Sequence, residues 1–341
     1  MALDPERRRQ LHALKLRALV GEHLDWALGE VRGTDDGAVA VATGPDDRPV
    51  VAALAEERPV RGLGGALAAA LRAEAGAVHV FANGAAGLLA RRATFFDPAP
   101  TVWELRGRKA VPAVAEPVPA VVEAPVVPEL VALLELGGVD VVVEHGVVIG
   151  EVQGLEVARV VGDGHGFHVE VGVGAHDREA FGLLHGDEPT PDAIRRVVEL
   201  VGTHRAPGAD PHPLNRLGAE RWLRARLIER PEVVGAASLS AAPPPVARQN
   251  LKEPVPAVAT GVDVDGGSMV VVTSVGIDLD LVPFAADARE SVDADAELVV
   301  AVPARDAHSV LHAMADALTR PARVVAVDDR WREWSSATSV A

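Results

Sequence analysis

The pentapeptide Ala-Val-Ala-Thr-Gly occupies residues 40–44 and again residues 257–261. An acidic loop follows each copy, and then an aliphatic run, residues 49–53 after the first and 269–273 after the second. Each copy then reads helix, apolar strand, helix, strand. Residues 78–81 correspond to 298–301, and 101–105 to 322–326. Ala and Val are so abundant that the pentapeptide alone carries little weight. The shared order of elements carries the reading. It predicts an internal duplication, with two similar end lobes, each a strand hairpin followed by βαβαβ, around a different middle. Strand–helix–strand units call for a largely parallel sheet with right-handed crossovers, and the hairpin adds an antiparallel strand. The fold class is therefore α/β, and common descent of the lobes predicts one strand order in both.

Working outward, Leu11, Leu14, Leu16, Leu19, Val20 and Leu24 fall near helical spacing and predict a helix over residues 5–28. A hairpin follows, Gly37–Thr43 with Pro49–Ala55, then helices over 62–75 and 85–95. The first lobe is residues 1–112. Residues 113–127 are rich in Pro, Val, Ala and Glu and read as an extended linker. Residues 128–237 form a central α+β block. Glycine-broken runs at 139–143, 147–152, 155–161 and 168–173 predict an antiparallel meander. Helices follow at 176–184, 192–201 and 214–228. A second Pro-rich linker spans 238–255, the second lobe 256–329, and a polar tail 330–341.

The chain has 341 residues, 48% of them hydrophobic, which is ample for packed cores. Aromatics make up 3% and Tyr is absent, so the cores must be built from Val, Leu and Ala. There is no Cys, which excludes disulfides, thiolate nucleophiles and Cys-ligated metals. Arg7, Arg8 and Arg9 are not followed by an apolar secretory segment, and no uncharged apolar stretch is long enough for a membrane span. The expectation is a cytoplasmic protein without a membrane partner. A net charge of −16 disfavours wholesale binding to nucleic acid unless a local basic patch provides it.

The order in the first lobe, helix, strand, strand, helix, strand, helix, strand, is similar to parts of the restriction-endonuclease-like (PD-(D/E)XK) superfamily. The resemblance is topological. It implies an Asp, then a Glu and a Lys one residue apart, on adjacent strands. The acids would hold Mg²⁺ and the Lys would orient or activate the attacking water. The end lobes depart from this pattern. The first offers Glu56-Glu57-Arg58 with Asp46 and Asp47, the second Asp278 and Asp280 with Asp263 and Asp265, and neither supplies the Lys. The competing reading makes these acids caps of the helices that begin just after them. The middle block fits better. Asp140 lies in a strand, and alternation would put Glu151 and Gln153 of the next strand on one face. The resemblance tolerates Gln for Lys. It therefore implies Glu151 and Gln153 as catalytic residues, Asp140 and Glu151 as metal ligands and Mg²⁺ as the ion, with Glu144 and Glu156 nearby. The competing reading is a meander with one solvated polar face.

Seven of the twelve histidines fall between His145 and His212, His165 and His168 among them. Imidazoles are common metal ligands, but glycine-rich loops with exposed polar residues are the favoured reading. Residues 192–230 carry Arg195, Arg196, Arg205, Arg216, Arg221, Arg224, Arg226 and Arg230 against only five acids. Arg205, Arg221, Arg224 and Arg226, with Trp222 to stack on, are the candidate contacts for an anionic ligand or nucleic acid. The alternative is a solvated helix, or pairing with acids of the same molecule. Arg61-Gly62-Leu63-Gly64-Gly65 lacks the spacing of a dinucleotide fingerprint, although a helix N-terminus there suits an anion. The leading expectation is a non-catalytic binding or assembly protein on a degenerate nuclease-like scaffold, with homo-oligomerisation among its partnerships. The alternative is a Mg²⁺-dependent nuclease or other phosphodiester-acting enzyme. Convergence of Asp140, Glu151 and Gln153 in a cleft would mark the enzyme.

Overall fold

The computed structural model describes residues 4–334 apart from 25, 27, 45, 108, 121, 126, 165, 186–189 and 249–252. Pro45 of the first hairpin loop, His165, part of the second expected linker and residues 335–341 of the expected tail lie outside the described residues. The chain opens with α1 (Pro5–His23), β1 (Leu28–Gly33), β2 (Gly37–Thr43), β3 (Pro49–Ala55), α2 (Leu63–Ala73), β4 (Ala77–Ala82), α3 (Ala86–Ala93), β5 (Thr101–Arg106) and β6 (Lys109–Pro112). The middle holds α4 (Pro128–Leu136), β7 (Asp140–Glu144), β8 (Val147–Val152), β9 (Leu155–Asp163), β10 (Gly166–Val171), α5 (Ala175–His185), α6 (Pro191–Arg205) and α7 (Ala219–Glu229). The remainder is β11 (Ala236–Ala242), β12 (Ala257–Asp263), β13 (Ser268–Thr273), α8 (Leu281–Val292), β14 (Glu297–Pro303), α9 (Ser309–Asp316) and β15 (Arg323–Val327). The protein is thus α/β, with three sheets among the described residues.

Two compact units divide the chain. One takes Met1–Val118, Ile277–Asp287 and His308–Val324, the other Pro119–Gly276, Ala288–Ala307 and Val325–Ala341. The expected lobe at 256–329 is therefore shared out: most of its strand residues count with the middle block, while segments of its helical connections count with residues 1–118.

In the first unit the sheet order is β1-β2-β3-β4-β5-β6. β3, β4 and β5 run parallel and the flanking strands antiparallel. β3 is buried from Val50 to Ala55, as a central strand covered on both faces must be. Leu16, Leu19 and Val20 of α1 pack on Ala38, Ala40, Ala52, Leu54 and Phe81. The helix ends at His23 rather than at 28, because Leu28 and Val31 are drawn into that same core as strand β1. Residues 113–120, 122–125 and 127 form neither helix nor strand.

The N-terminus of α2 has an unusual cap. Gly62 provides no side chain, and Oδ1 of Asp280 accepts the N–H of Leu63 (3.1 Å) and of Gly64 (2.8 Å). The close approach requires glycine: a Cβ on Gly64 would sit 2.0 Å from the carbonyl oxygen of Leu279. So the anion at this helix end belongs to the chain itself. Asp280 does cap a helix, but one far upstream in sequence rather than the one that follows it. Asp278 beside it pairs with Arg61 at 2.7 Å.

In the second unit β7–β10 form the expected meander, in the order β10-β9-β8-β7 with every neighbour antiparallel. The third sheet runs β11-β12-β13-β14-β15. Its pairings repeat those of β1–β4, antiparallel, antiparallel, then parallel. A helix precedes each series, α1 before β1 and α7 before β11. The recurring arrangement therefore starts at α7, inside the expected central block. β11 also falls partly within the expected linker 238–255, since its Ala and Ser residues pair with β12 before the prolines begin. The pentapeptides do not coincide. Pairs Thr43↔Pro49 and Val262↔Ser268 close the two hairpins, so Ala40 corresponds to Ala259 and the two copies lie two residues out of register.

Burial pushes the Asp280 carboxyl from 3.8 up to about 6, against the opposing hydrogen bond from Gly64. A raised folded pKa favours the fold at low pH. Stability is lost as pH climbs from about 4 to about 6, by roughly 3 kcal/mol from this one group. Asp280→Asn keeps an acceptor for α2 but cannot ionise. Measured by urea unfolding at intervals from pH 4 to 7, wild type should lose about that much relative to the variant. A constant difference across the range would overturn the assignment.

Candidate functional site

The meander has two chemically distinct faces. One carries Val148, Val152, Leu155, Val160 and Val169 and packs with Leu134 of α4 and Ile194 and Val201 of α6. The other carries carboxylates. Register sets Glu151 opposite both Asp140 and Glu156, and Ile149 opposite Arg159. Directly opposed residues share a face in an antiparallel pair. Glu144, Glu151 and Glu156 are all buried on this face, so these acids are not a solvated row.

Helix α7 supplies the compensation. Arg221 and Arg224, three apart, project from one side of it. Arg221 donates to Oε1 of Glu151 at 2.5 Å and to Oε2 of Glu144. Arg224 donates to Oε2 of Glu151 at 2.6 Å and to Oε1 of Glu144 at 3.2 Å. All four carboxylate oxygens are taken by two guanidiniums. Burial alone would raise the Glu151 carboxyl, but the charges of Arg224 and Arg221 hold it below its ordinary value. The other side of α7, Trp222, Leu223 and Leu227, enters the core of the third sheet with Ala259, Met269 and Val299. The helix lies close to the β8–β9 turn: a Cβ on Gly154, at φ +76°, would meet the Arg221 backbone at 2.3 Å.

This geometry revises the expected site. Asp140 and Glu151 are cross-strand partners, yet both oxygens of Glu151 already accept from Arg221 and Arg224, whose charges would repel a cation there. Asp140 stays exposed, and its pKa is raised by partial desolvation and by the charge of Glu151. Gln153 does not share a strand face with Glu151. It sits in the β8–β9 turn at φ +46°, where alternation no longer applies. No group of three or more His, Asp or Glu suited to a metal occurs among the described residues. The residues do not fit Mg²⁺. In the first lobe, both oxygens of Glu56 accept Lys15 of α1 at 2.7 Å, a partner that sequence proximity does not suggest.

The expected ligand-binding arginines are likewise internal. Arg205 is 0% exposed and donates to the carbonyls of Gln153 (2.5 Å), Leu214 (3.3 Å) and Leu217 (2.5 Å). Its guanidinium lies 4.7 Å from the Trp222 ring, and burial pushes its pKa down to about 10. Trp222 packs edge-on against Trp331 at 5.4 Å. Arg226 is buried and pairs with Glu229 at 2.9 Å. These side chains lie too deep to meet a polyanion, and the groups they answer, backbone carbonyls for Arg205 and Glu229 for Arg226, belong to the same molecule.

The accessible chemistry lies beside the quartet. A cleft of about 630 Å³ opens over the acidic face of the meander, bounded by the start of α5, by Leu217 and by Ala247 and Arg248. Glu156, only 1% exposed, is among its lining residues. Three guanidiniums converge on this carboxylate: Arg159 at 2.7 Å, Arg248 at 3.0 Å and Arg178 at 3.5 Å. Arg178 also donates to Glu170, at 3.1 Å. Burial, followed by the charge of Arg221, lowers the pKa of Arg248. Cations here outnumber the acids that hold them. An anion is the species such a cleft accommodates. Sequence reading passed over Arg159, Arg178 and Arg248 because they are scattered over β9, α5 and a Pro-rich stretch. The signal available was Arg159 three residues after Glu156, a weak one in a strand.

Removing one member of a buried ion-pair set strands the others, at a cost of about 3–5 kcal/mol. Glu151→Gln should therefore destabilise the chain by about 3 kcal/mol in urea unfolding at pH 7. The depressed carboxyl contributes above its ordinary value of 4.5 and loses that contribution as pH falls further. The penalty should thus shrink towards pH 3. Glu151→Leu combined with Arg224→Leu should cost less than the two single changes added together. Strict additivity would mean that the pair is not coupled. Comparison of the chain with protein-family models, with curated proteins and with solved structures finds no match, so the site's own geometry is what bears on function.

Proposed function

We propose that this chain is a non-catalytic binding protein whose ligand is an anion held in the arginine-lined cleft of the middle block. The observation that carries the proposal is the imbalance around Glu156, where three guanidiniums meet this buried carboxylate and only Glu170 besides, in the lining of an open cavity. Arginine forks match carboxylate and phosphate oxygens, and a partly desolvated setting strengthens such contacts. The occupation of Glu144 and Glu151 by Arg221 and Arg224 supports a binding role over the Mg²⁺-dependent alternative. The likeness of the lobes to restriction-endonuclease-like proteins stays part of this proposal as a statement about scaffold topology alone. No helix among the described residues is long and apolar enough to cross a membrane.

The test is thermal unfolding with inorganic phosphate and pyrophosphate, with chloride at equal ionic strength as the control. Ligand at ten times its Kd stabilises by about 1.4 kcal/mol, a rise in Tm on the order of 3–5 °C for a unit of this size. Arg178→Ala and Arg248→Ala should each abolish the rise. Millimolar Mg²⁺ should leave Tm unchanged. A rise with Mg²⁺ that Glu151→Gln removes, and none with either anion, would favour the enzyme and sink the binding reading.

A further inference from the structure

The cleft is far larger than an inorganic anion needs, and its lining is uneven. A volume of about 630 Å³ lies in the range of sites that take whole small molecules. Strand register orders the floor. Glu170 on β10 faces Arg159 on β9, which faces Ile149 on β8, while Val147 pairs with Glu144 at the β7–β8 turn. The guanidiniums of Arg159 and Arg178 therefore stand at the β9–β10 side, next to α5, and with Arg248 they outnumber Glu156 and Glu170 by one. Ile149 and Val147 line the β8 side, with exposed His145 at the turn and Leu217 at the wall. The charge of Arg221 on this side is already spent on Glu144 and Glu151. One end of the cleft suits a dianion, the other a flat apolar group.

Resting on the anion-binding reading above, we infer that the ligand is a small phosphate ester with a flat apolar body, of about mononucleotide size. Its phosphoryl group would meet Arg159, Arg178 and Arg248, and its ring would lie over Val147 and Ile149 against Leu217. Imidazole at His145 offers a face for stacking. A free phosphate would fill only the charged end. An alkyl phosphate would gain apolar contact without the stacking.

Titration calorimetry of the full chain with inorganic phosphate, phenyl phosphate, hexyl phosphate, adenosine monophosphate and adenosine separates these contributions. Phenyl phosphate and adenosine monophosphate should each bind at least about tenfold tighter than inorganic phosphate, with adenosine alone much weaker. That comparison uses the wild-type protein, so no variant's folding enters it. Val147→Gln and Leu217→Gln, taken at temperatures where their melting curves are intact, should bring the esters down to the affinity of inorganic phosphate and leave phosphate itself unchanged. Arg178→Ala should weaken phosphate and esters alike. If phosphate binds and the aromatic esters bind no tighter, this inference fails while the anion-binding reading stands. Hexyl phosphate matching phenyl phosphate would overturn the flat body. If neither phosphate nor ester binds, both readings fall.

Discussion

Burying a carboxylate costs several kcal/mol unless a cation accompanies it with its hydrogen bonds satisfied. Two such carboxylates, Glu144 and Glu151, stand on one face of the meander, and the second unit is organised around their neutralisation. Arg221 and Arg224 must reach that face together, which fixes the rotation of α7 about its axis. Once they do, Trp222, Leu223 and Leu227 are turned towards the third sheet, where they join its core. Helix α7 is thus a layer shared by two sheets, charged on one side and apolar on the other. Gly154 allows the two backbones to come close enough for short ion pairs.

The sheets were largely legible in the sequence because their signals are local. Alternation and β-branched runs mark the strands, glycines mark the turns, and prolines mark the extended segment after residue 112. The hairpin β2–β3 and strand β8 fall at the residues expected. What failed was non-local. Helical spacing over 5–28 does not reveal that Leu28 and Val31 belong to a strand, since core residues of either kind read alike. Apart from Leu239, β11 is made of Ala and Ser, which announce little. The pentapeptide that drew attention first is out of register between the sheets, and the order of elements survives without it.

Charge was harder to read than shape. A cluster of arginines in an acidic chain looks like an exposed basic face when only the helix is considered. Their partners lie some 70 to 80 residues upstream, on strands whose acids look like metal ligands when only the strands are considered. Each half of the quartet suggests a function, and together they account for one another as structure. The same holds at α2, where Asp280 caps a helix more than two hundred residues upstream.

Neutralisation is complete at one place and exceeded at another close by. At Glu144 and Glu151 two carboxylates meet two guanidiniums and every oxygen is used. At Glu156, directly across from Glu151 in the sheet, three guanidiniums meet one carboxylate, with only Glu170 besides. Packing alone does not call for the excess, since a buried surplus of positive charge is itself destabilising. Nor does the composition of the chain, whose net charge is −16. A surplus retained against both tendencies, at the mouth of a cleft, fits a charge that arrives from outside. On the anion-binding proposal, Glu156 would hold the three guanidiniums in position beforehand, which lowers the ordering cost of binding.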